Sequence, residues 1–316
     1  MRGWFCYDVL PAMTLVLEQI LNGFQFGIML FLLAAGLTLI FGIMNVINLA
    51  HGCLYMIGAY AAALVAARTG SFLLAVPAGL VAAAVAGLII EFLVIRRLYN
   101  RDHLEQVLAT FGLILFINEG VTMLFGRTPL FVAIPQALSG SIELIPGVPY
   151  PAYRLAIMAV GLLVAGGLYL LVNKTRIGML VRAGSTHREM VRALGVDIRL
   201  LYTIVFALGA LLAGLAGLMA GPLLAVQVGM GEQILILTFV VVVIGGLGSI
   251  RGAFYGALIV GLTDTMLRAF LPGFFKTFMN ASEADALGAG LSSMGIYLVM
   301  ALVLLIRPQG LFNAQG

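Results

Sequence analysis

Asn45, Asn48 and His51 stand between two long apolar runs, in the stretch Gly42-Ile43-Met44-Asn45-Val46-Ile47-Asn48-Leu49-Ala50-His51-Gly52. Two amides and an imidazole can donate and accept hydrogen bonds, but they contain neither a strong nucleophile nor a carboxylate. Beside a membrane span such groups need an internal partner, water or a function. Two roles fit them. They can cap a broken helix and satisfy the backbone groups it frees, or they can line a gated pathway. Asn45 and Asn48 are three residues apart and share a face if the helix continues. Glu119, beside Asn118, has no partner within its own run, so it is either wet at an interface or turned inward. Arg268 follows Asp264 by four residues, which predicts an ion pair on one helix face, and Glu91 is close enough to Arg96 to snorkel towards a surface. Gly245, Gly246, Gly248 and Gly252 suit either close helix packing or a broken-helix gate, whereas Gly209, Gly214 and Gly217 read as packing positions.

Other chemistries find no residues to carry them. A nucleotide-binding loop needs Gly-x-x-x-x-Gly-Lys-Ser/Thr, and the only lysines, Lys174 and Lys276, follow no such loop. His51, His103 and His187 have no cysteine or carboxylate at ligand spacing. With no nucleophile–base set either, the chain reads as a non-enzyme without metal or cofactor. Whatever drives it, it does not itself hydrolyse a nucleotide.

The elements that must position these residues follow from composition. Charged residues make up 9% of the 316 and hydrophobic residues 62%, with a mean hydropathy of +1.13. A soluble protein of this size cannot be so poor in charge. The apolar runs are continuous rather than alternating, which excludes a barrel, and they approach the ~20 residues that a helix needs to cross a membrane. The expected class is an all-α, polytopic inner-membrane bundle of eight to nine transmembrane helices in one domain over 1–316. The spans are placed at 24–44, 52–67, 72–95, 105–125, 152–173, 200–221, 232–249, 252–271 and 291–306. The second is short, and only Ser249-Ile250-Arg251 divides the seventh from the eighth, so either could be tilted, broken or re-entrant. The start lacks a cleavable signal pattern. Residues 1–12 look like an extension, and Met13 is a plausible alternative start.

The net charge of +4 is concentrated in loops. Arg96, Arg97 and Arg101 follow the third span, Lys174 to Arg199 the fifth, Arg251 the seventh and Arg307 the ninth. All fall on one side if the spans alternate, with Arg68 the exception. Basic loops stay in the cytoplasm, so the N-terminus is expected outside and the C-terminus inside. The opposite loops are 126–151 and 272–290. On this topology Cys6 and Cys53 lie on opposite faces and cannot pair. His51-Gly52-Cys53-Leu54-Tyr55 and Arg251-Gly252-Ala253-Phe254-Tyr255 both read basic, Gly, small, large apolar, Tyr, which suggests a parallel internal repeat.

The stretch 174–199 is the most polar loop. Ser185 or Thr186 can cap a short helix, with Glu189 following, and Gly195 can end it in the left-handed conformation. Met190, Ala193 and Leu194 then share one face, with Arg188 on the opposite one. Such a helix either lies at the lipid boundary or docks into a groove of a partner.

Four segments resemble one family in the family's order. Gly42 to Tyr60, with its Asn-Val-Ile-Asn-Leu-Ala-His-Gly core, resembles the signature of LivH-type permeases of branched-chain amino-acid ABC importers. Arg182 to Gly195 resembles their coupling-helix region, Val240 to Ala253 their Gly-rich signature, and Arg307-Pro308-Gln309-Gly310-Leu311-Phe312 their C-terminal ending. The resemblance spans about Leu15 to Phe312. Cys53 departs from it, standing where an acidic or small polar residue is common. The resemblance implies a permease subunit forming half of a translocation pathway. It would work with a second related permease, two cytoplasmic ABC ATPases and a periplasmic substrate-binding protein, in a bacterial inner membrane and among its lipids. Arg182, Ser185, Arg188, Glu189, Met190, Ala193, Leu194 and Gly195 would then couple to the ATPase. Asn45, Asn48, His51, Glu119, Gly245, Gly246 and Gly248 would belong to the pathway. Related systems carry urea, short amides or aromatic acids, and a self-contained secondary transporter using Glu119 or Asp264 is the reading from another class.

Overall fold

Continuous apolar runs surrounded by lipid leave the backbone nothing to bond except itself, which makes helices. The computed structural model describes the backbone of residues 5–145, 148–186 and 188–312, and the side chains of 13–144, 149–184 and 190–312. Among these residues, eight helices are long and apolar enough to cross a membrane. The chain is therefore a multi-pass membrane protein with an all-α bundle. In order the helices are α1 (Phe5–Met44), α2 (His51–Thr69), α3 (Phe72–Ile90), α4 (Arg96–Leu98), α5 (His103–Phe125), α6 (Ala152–Lys174), α7 (Arg176–Thr186), α8 (Arg188–Ala193), α9 (Ile198–Ala220), α10 (Met230–Gly245), α11 (Ile250–Phe275) and α12 (Ala281–Ile306). A π turn, Glu91–Ile95, joins α3 to α4, so that Phe72–Leu98 forms a single span.

α1, α2 and α9 form the enclosed centre, and α3, α5, α6, α11 and α12 turn most of their surface outward. α1 packs against α9, α11, α6 and α10, while α2 packs against α9 and α3. The crossings rest on small residues that let backbones approach. A methyl group on Gly36 of α1 would meet the Gly209 carbonyl oxygen of α9 at 2.8 Å, and one on Gly27 would meet the Ala257 oxygen of α11 at the same distance. The packing expected of Gly209, Gly214 and Gly217 is present: they face Gly36 and Ile40, Ala83, and the Tyr55 carbonyl respectively.

Several expectations need correction. The seventh span shortens to α10, 16 residues, fewer than the others. The last span starts ten residues early, at Ala281, so the expected loop 272–290 shrinks to a turn between α11 and α12. Lys276 pairs across that turn with Asp285 at 2.8 Å, which places both charges on helix ends rather than in a loop. The loop 126–151 contains a hairpin, β1 (Ser141–Ile145) with β2 (Val148–Pro151), and Leu130 makes a two-bond bridge to Val226. Cys53 is buried within the bundle instead of lying at a face, because α2 starts deep; the side chain of Cys6 lies outside the described residues. Glu91 does not snorkel. Its carboxylate is fully buried and receives Arg96 Nε at 3.2 Å and Nη2 at 3.0 Å, the Tyr99 hydroxyl at 2.5 Å and Thr203 Oγ1 at 3.2 Å. Burial and the bond to Glu91 push the Tyr99 phenol above its ordinary value. The network ties the end of α3 to α9 at the π turn, a place where functional or strained sites recur.

The pair expected between Arg268 and Asp264 is present at 2.8 Å. The two similar pentapeptides both sit at helix starts, and both their glycines press on α10: Gly52 on Gly231 at one end and Gly252 on Gly245 at the other. Their surroundings differ, since His51 and Tyr55 are buried while Arg251 and Tyr255 are exposed. Beyond α12 the chain turns back, and the amides of Leu311 and Phe312 donate to the carbonyls of Ile244 (2.9 Å) and Gly245 (3.0 Å).

Candidate functional site

α1 stops at Met44 because Asn45 takes φ +51°, the one positive φ outside glycine among the described residues. Its amide still donates to the Phe41 carbonyl at 2.9 Å, so Asn45 ends the helix in the left-handed conformation that asparagine tolerates. Residues 45–48 are not helical, and helix resumes at His51. The helix does not continue across this stretch, so Asn45 and Asn48 do not share a helix face. His51 Nε2 lies 3.3 Å from the Leu33 carbonyl oxygen, about three turns back along α1. The chain therefore re-enters the bundle after α1, and α2 starts inside it.

The freed backbone groups are satisfied by α5, not by the asparagines. Ile47 N–H donates to Gln106 Oε1 at 3.1 Å and Leu49 N–H to Thr110 Oγ1 at 3.3 Å. Gln106 is itself fixed by donating to the Leu98 and Arg101 carbonyls. Sequence reasoning passed over Gln106 and Thr110; the only signal was a polar pair at helical spacing in an apolar run. The side chain of Asn48 takes no part in this, although its backbone carbonyl accepts the His51 amide at 3.4 Å. It is fully buried, and neither atom of its amide has a partner among the described residues. It borders an apolar cavity of about 130 Å³ between α1 and α10, lined by Leu37, Phe41, Val46, Phe239, Val242 and Leu247. His51 Nδ1 is likewise buried and unbonded among the described residues.

The glycine segment lies against the same break. Gly246 and Gly248 take φ +102° and +83°, so they form a turn that L side chains resist, while Gly245 packs on Gly252. A methyl group on Gly42, at the end of α1, would lie 3.0 Å from the Gly248 Cα. Asn48 and the 246–248 turn thus converge, whereas Asn45 faces outward. Glu119 stands apart, exposed on α5. Its neighbour Asn118 donates to the carboxylate of Glu232, in the first turn of α10. Glu232 also escaped the sequence reading, although a carboxylate in Gly229-Met230-Gly231-Glu232-Gln233 at the head of an apolar run is a visible signal.

At the basic end of the bundle, α7 and α8 lie outside the spans. Gly195, at φ +86°, closes the short helix as expected, and its amide donates to the Arg192 carbonyl. Met190, Ala193 and Leu194 are all exposed, with Met190 at 63% and Leu194 at 78%, while Val191 is buried beneath them. The backbones of Ser185 and Thr186 belong to the end of α7, which begins at Arg176 and carries Arg182. The side chains of Ser185, Arg188 and Glu189 lie outside the described residues, and the expected cap lies there with them.

Comparison with known proteins yields one consistent result. Residues 19–306 match the family described as branched-chain amino acid transport system / permease component. The chain is 29% identical over 318 residues to the high-affinity branched-chain amino acid transport system permease protein BraD of Pseudomonas aeruginosa, covering 96% of this chain and 98% of that one. It is 28% identical to the corresponding LivH proteins of Escherichia coli K12 and Salmonella typhimurium, in each case covering 94% of this chain and 95% of the relative. No solved structure matches it.

Proposed function

Because this chain belongs to the family of branched-chain amino acid transport system permease components, we propose that it is a transmembrane subunit of a binding-protein-dependent ABC importer for branched-chain amino acids. The observation that carries this reading is the meeting of two backbone breaks, 45–50 and 246–249, around the buried amide of Asn48 and an apolar cavity. Breaks of this kind are tolerated in a membrane only where protein or a pathway surrounds them. An apolar recess with one amide suits a branched aliphatic side chain. Asn48, His51 and the turn at Gly245, Gly246 and Gly248 then form the gate, with Asn45 ending α1 beside it. Glu232, held by Asn118 of α5, edges the pathway at the start of α10, where a carboxylate can meet the ammonium group of a zwitterion, whereas Glu119 lies away from it. The basic end faces the cytoplasm and the C-terminus lies there, with the N-terminus periplasmic. The exposed face of Met190, Ala193 and Leu194 docks on an ATPase, a second permease completes the pathway, and a periplasmic binding protein selects the solute.

The intramembrane carboxylates Glu119 and Glu232 favour a second reading, a self-contained transporter coupled to an ion gradient. Reconstitution separates the two. Uptake of radiolabelled leucine into vesicles is expected only with the partner ATPases, ATP and the binding protein present. Saturable, gradient-driven uptake by the chain alone would sink the importer reading.

A further inference from the structure

α6 and α11 both pack on α1, and a cleft of about 410 Å³ lies between them, lined by residues of both. Its floor is Phe31 of α1, which meets Phe254 of α11 edge to face at 5.2 Å. One wall is Ala165, Leu168 and Tyr169 of α6. At the mouth stand two guanidinium groups, Arg182 and Arg251, and no carboxylate lines the cleft among the described residues. The Arg251 guanidinium lies over the Tyr169 ring, 5.7 Å from its centroid, and Arg182 donates to the Val172 carbonyl. Both contacts hold the cations at the mouth. The mouth also contains the N-terminus of the 26-residue α11, capped by Ser249, so a third positive element points the same way.

The chemistry of this cleft is that of an amphiphilic anion. Two arginines and a helix N-terminus at one level call for a phosphate, because guanidinium–phosphate bonds are the stronger, charge-assisted kind. The apolar cleft continuing up between two outward-facing helices calls for hydrocarbon, and a free phosphate would leave it unfilled. Basic pockets between spans at the cytoplasmic level are the places where anionic headgroups bind. We infer that this cleft is a binding site for an anionic phospholipid, with its phosphate at Arg251 and Arg182 and an acyl chain lying over Phe31 between α6 and α11. The assignment of a leaflet rests on the orientation proposed above; the site itself does not.

The test is native mass spectrometry of the full chain, with whatever partners co-purify, titrated with phosphatidylglycerol and separately with phosphatidylcholine of the same acyl chains. Phosphatidylglycerol is expected to bind about tenfold more tightly, the scale of one charge-assisted contact. Arg251→Gln should abolish that preference and Arg251→Lys should keep part of it. Ala165→Trp, which fills the apolar wall and leaves the cations in place, should weaken both lipids. Inorganic phosphate at millimolar concentration should not displace the lipid. Equal binding of the two lipids by the wild-type protein overturns the inference, and that comparison needs no variant. So does displacement by inorganic phosphate that Ala165→Trp does not alter, which would assign the cleft to a free anion. Exclusion of lipid when a second permease is bound would make the cleft a subunit contact and also overturn it. None of these readouts depends on transport, so a failure here is distinct from a failure of the importer reading.

Discussion

A primary amide sealed from water with neither atom bonded costs about 1–3 kcal/mol relative to a paired one, and Asn48 is such an amide among the described residues. A residue retained purely for the fold would not be left that way. The expectation is that Asn48→Leu, which keeps the branching at Cγ, lacks the polar groups and can extend into the adjoining apolar cavity, melts at the same temperature as wild type or higher in detergent, while uptake by the assembled importer falls at least about tenfold. The two readouts are a thermal unfolding curve on the purified protein and uptake into vesicles. A variant that melts well below wild type yet transports normally would make Asn48 a structural residue after all. The neighbouring satisfied groups predict the reverse. Gln106→Leu removes the acceptor for the Ile47 amide and the donor to two carbonyls, and each orphaned group costs about 1–3 kcal/mol. Gln106→Leu should therefore lower the melting temperature and speed hydrogen exchange at residues 45–50. Unchanged exchange there would refute the role given to α5.

At the scale of elements, α8 is too short to be stable alone and persists because Val191 is buried beneath it and Gly195 turns the chain out of it. What it presents is Met190, Ala193 and Leu194. An unpaired charge in a docked interface is expensive, so Ala193→Glu should leave the permease inserted but lower ATPase recovery with the tagged chain by about tenfold, together with substrate-stimulated ATP hydrolysis. Normal co-purification and stimulation would return the helix to a lipid-surface role. The elements also show what the sequence could reveal. The break after α1 was legible because Asn45, Asn48 and His51 interrupt an apolar run locally, and the ion pair of Asp264 with Arg268 because it obeys helical spacing. The positions of Gln106, Thr110 and Glu232 were not, because their partners lie 59, 61 and 114 residues away. Glu91 was misjudged because a carboxylate near an arginine looks like a surface pair until Thr203, more than a hundred residues on, closes the network from α9. The length of α10 was misread because hydropathy continues through Gly246 and Gly248, where the backbone turns.

The whole molecule gathers its basic loops at one end: Arg96 reaches Thr203 at the start of α9, and Arg182 and Arg251 share one cleft. In a background lacking Cys6, a cysteine at Ser139 should react with an impermeant maleimide in spheroplasts, one at Arg101 only after the membrane is opened, and buried Cys53 in neither case. Reaction at Arg101 in sealed spheroplasts would invert the proposed orientation. The turn at Gly246 adds a temporal constraint. Its carbonyl neighbours at Ile244 and Gly245 are bonded by Leu311 and Phe312, which leave the ribosome only after α11 and α12 have been made. Until then the two carbonyls at the end of α10 lack these partners. Sealing the end of α10 is thus among the last acts of synthesis, and a nascent chain halted before Gly310 leaves that end open.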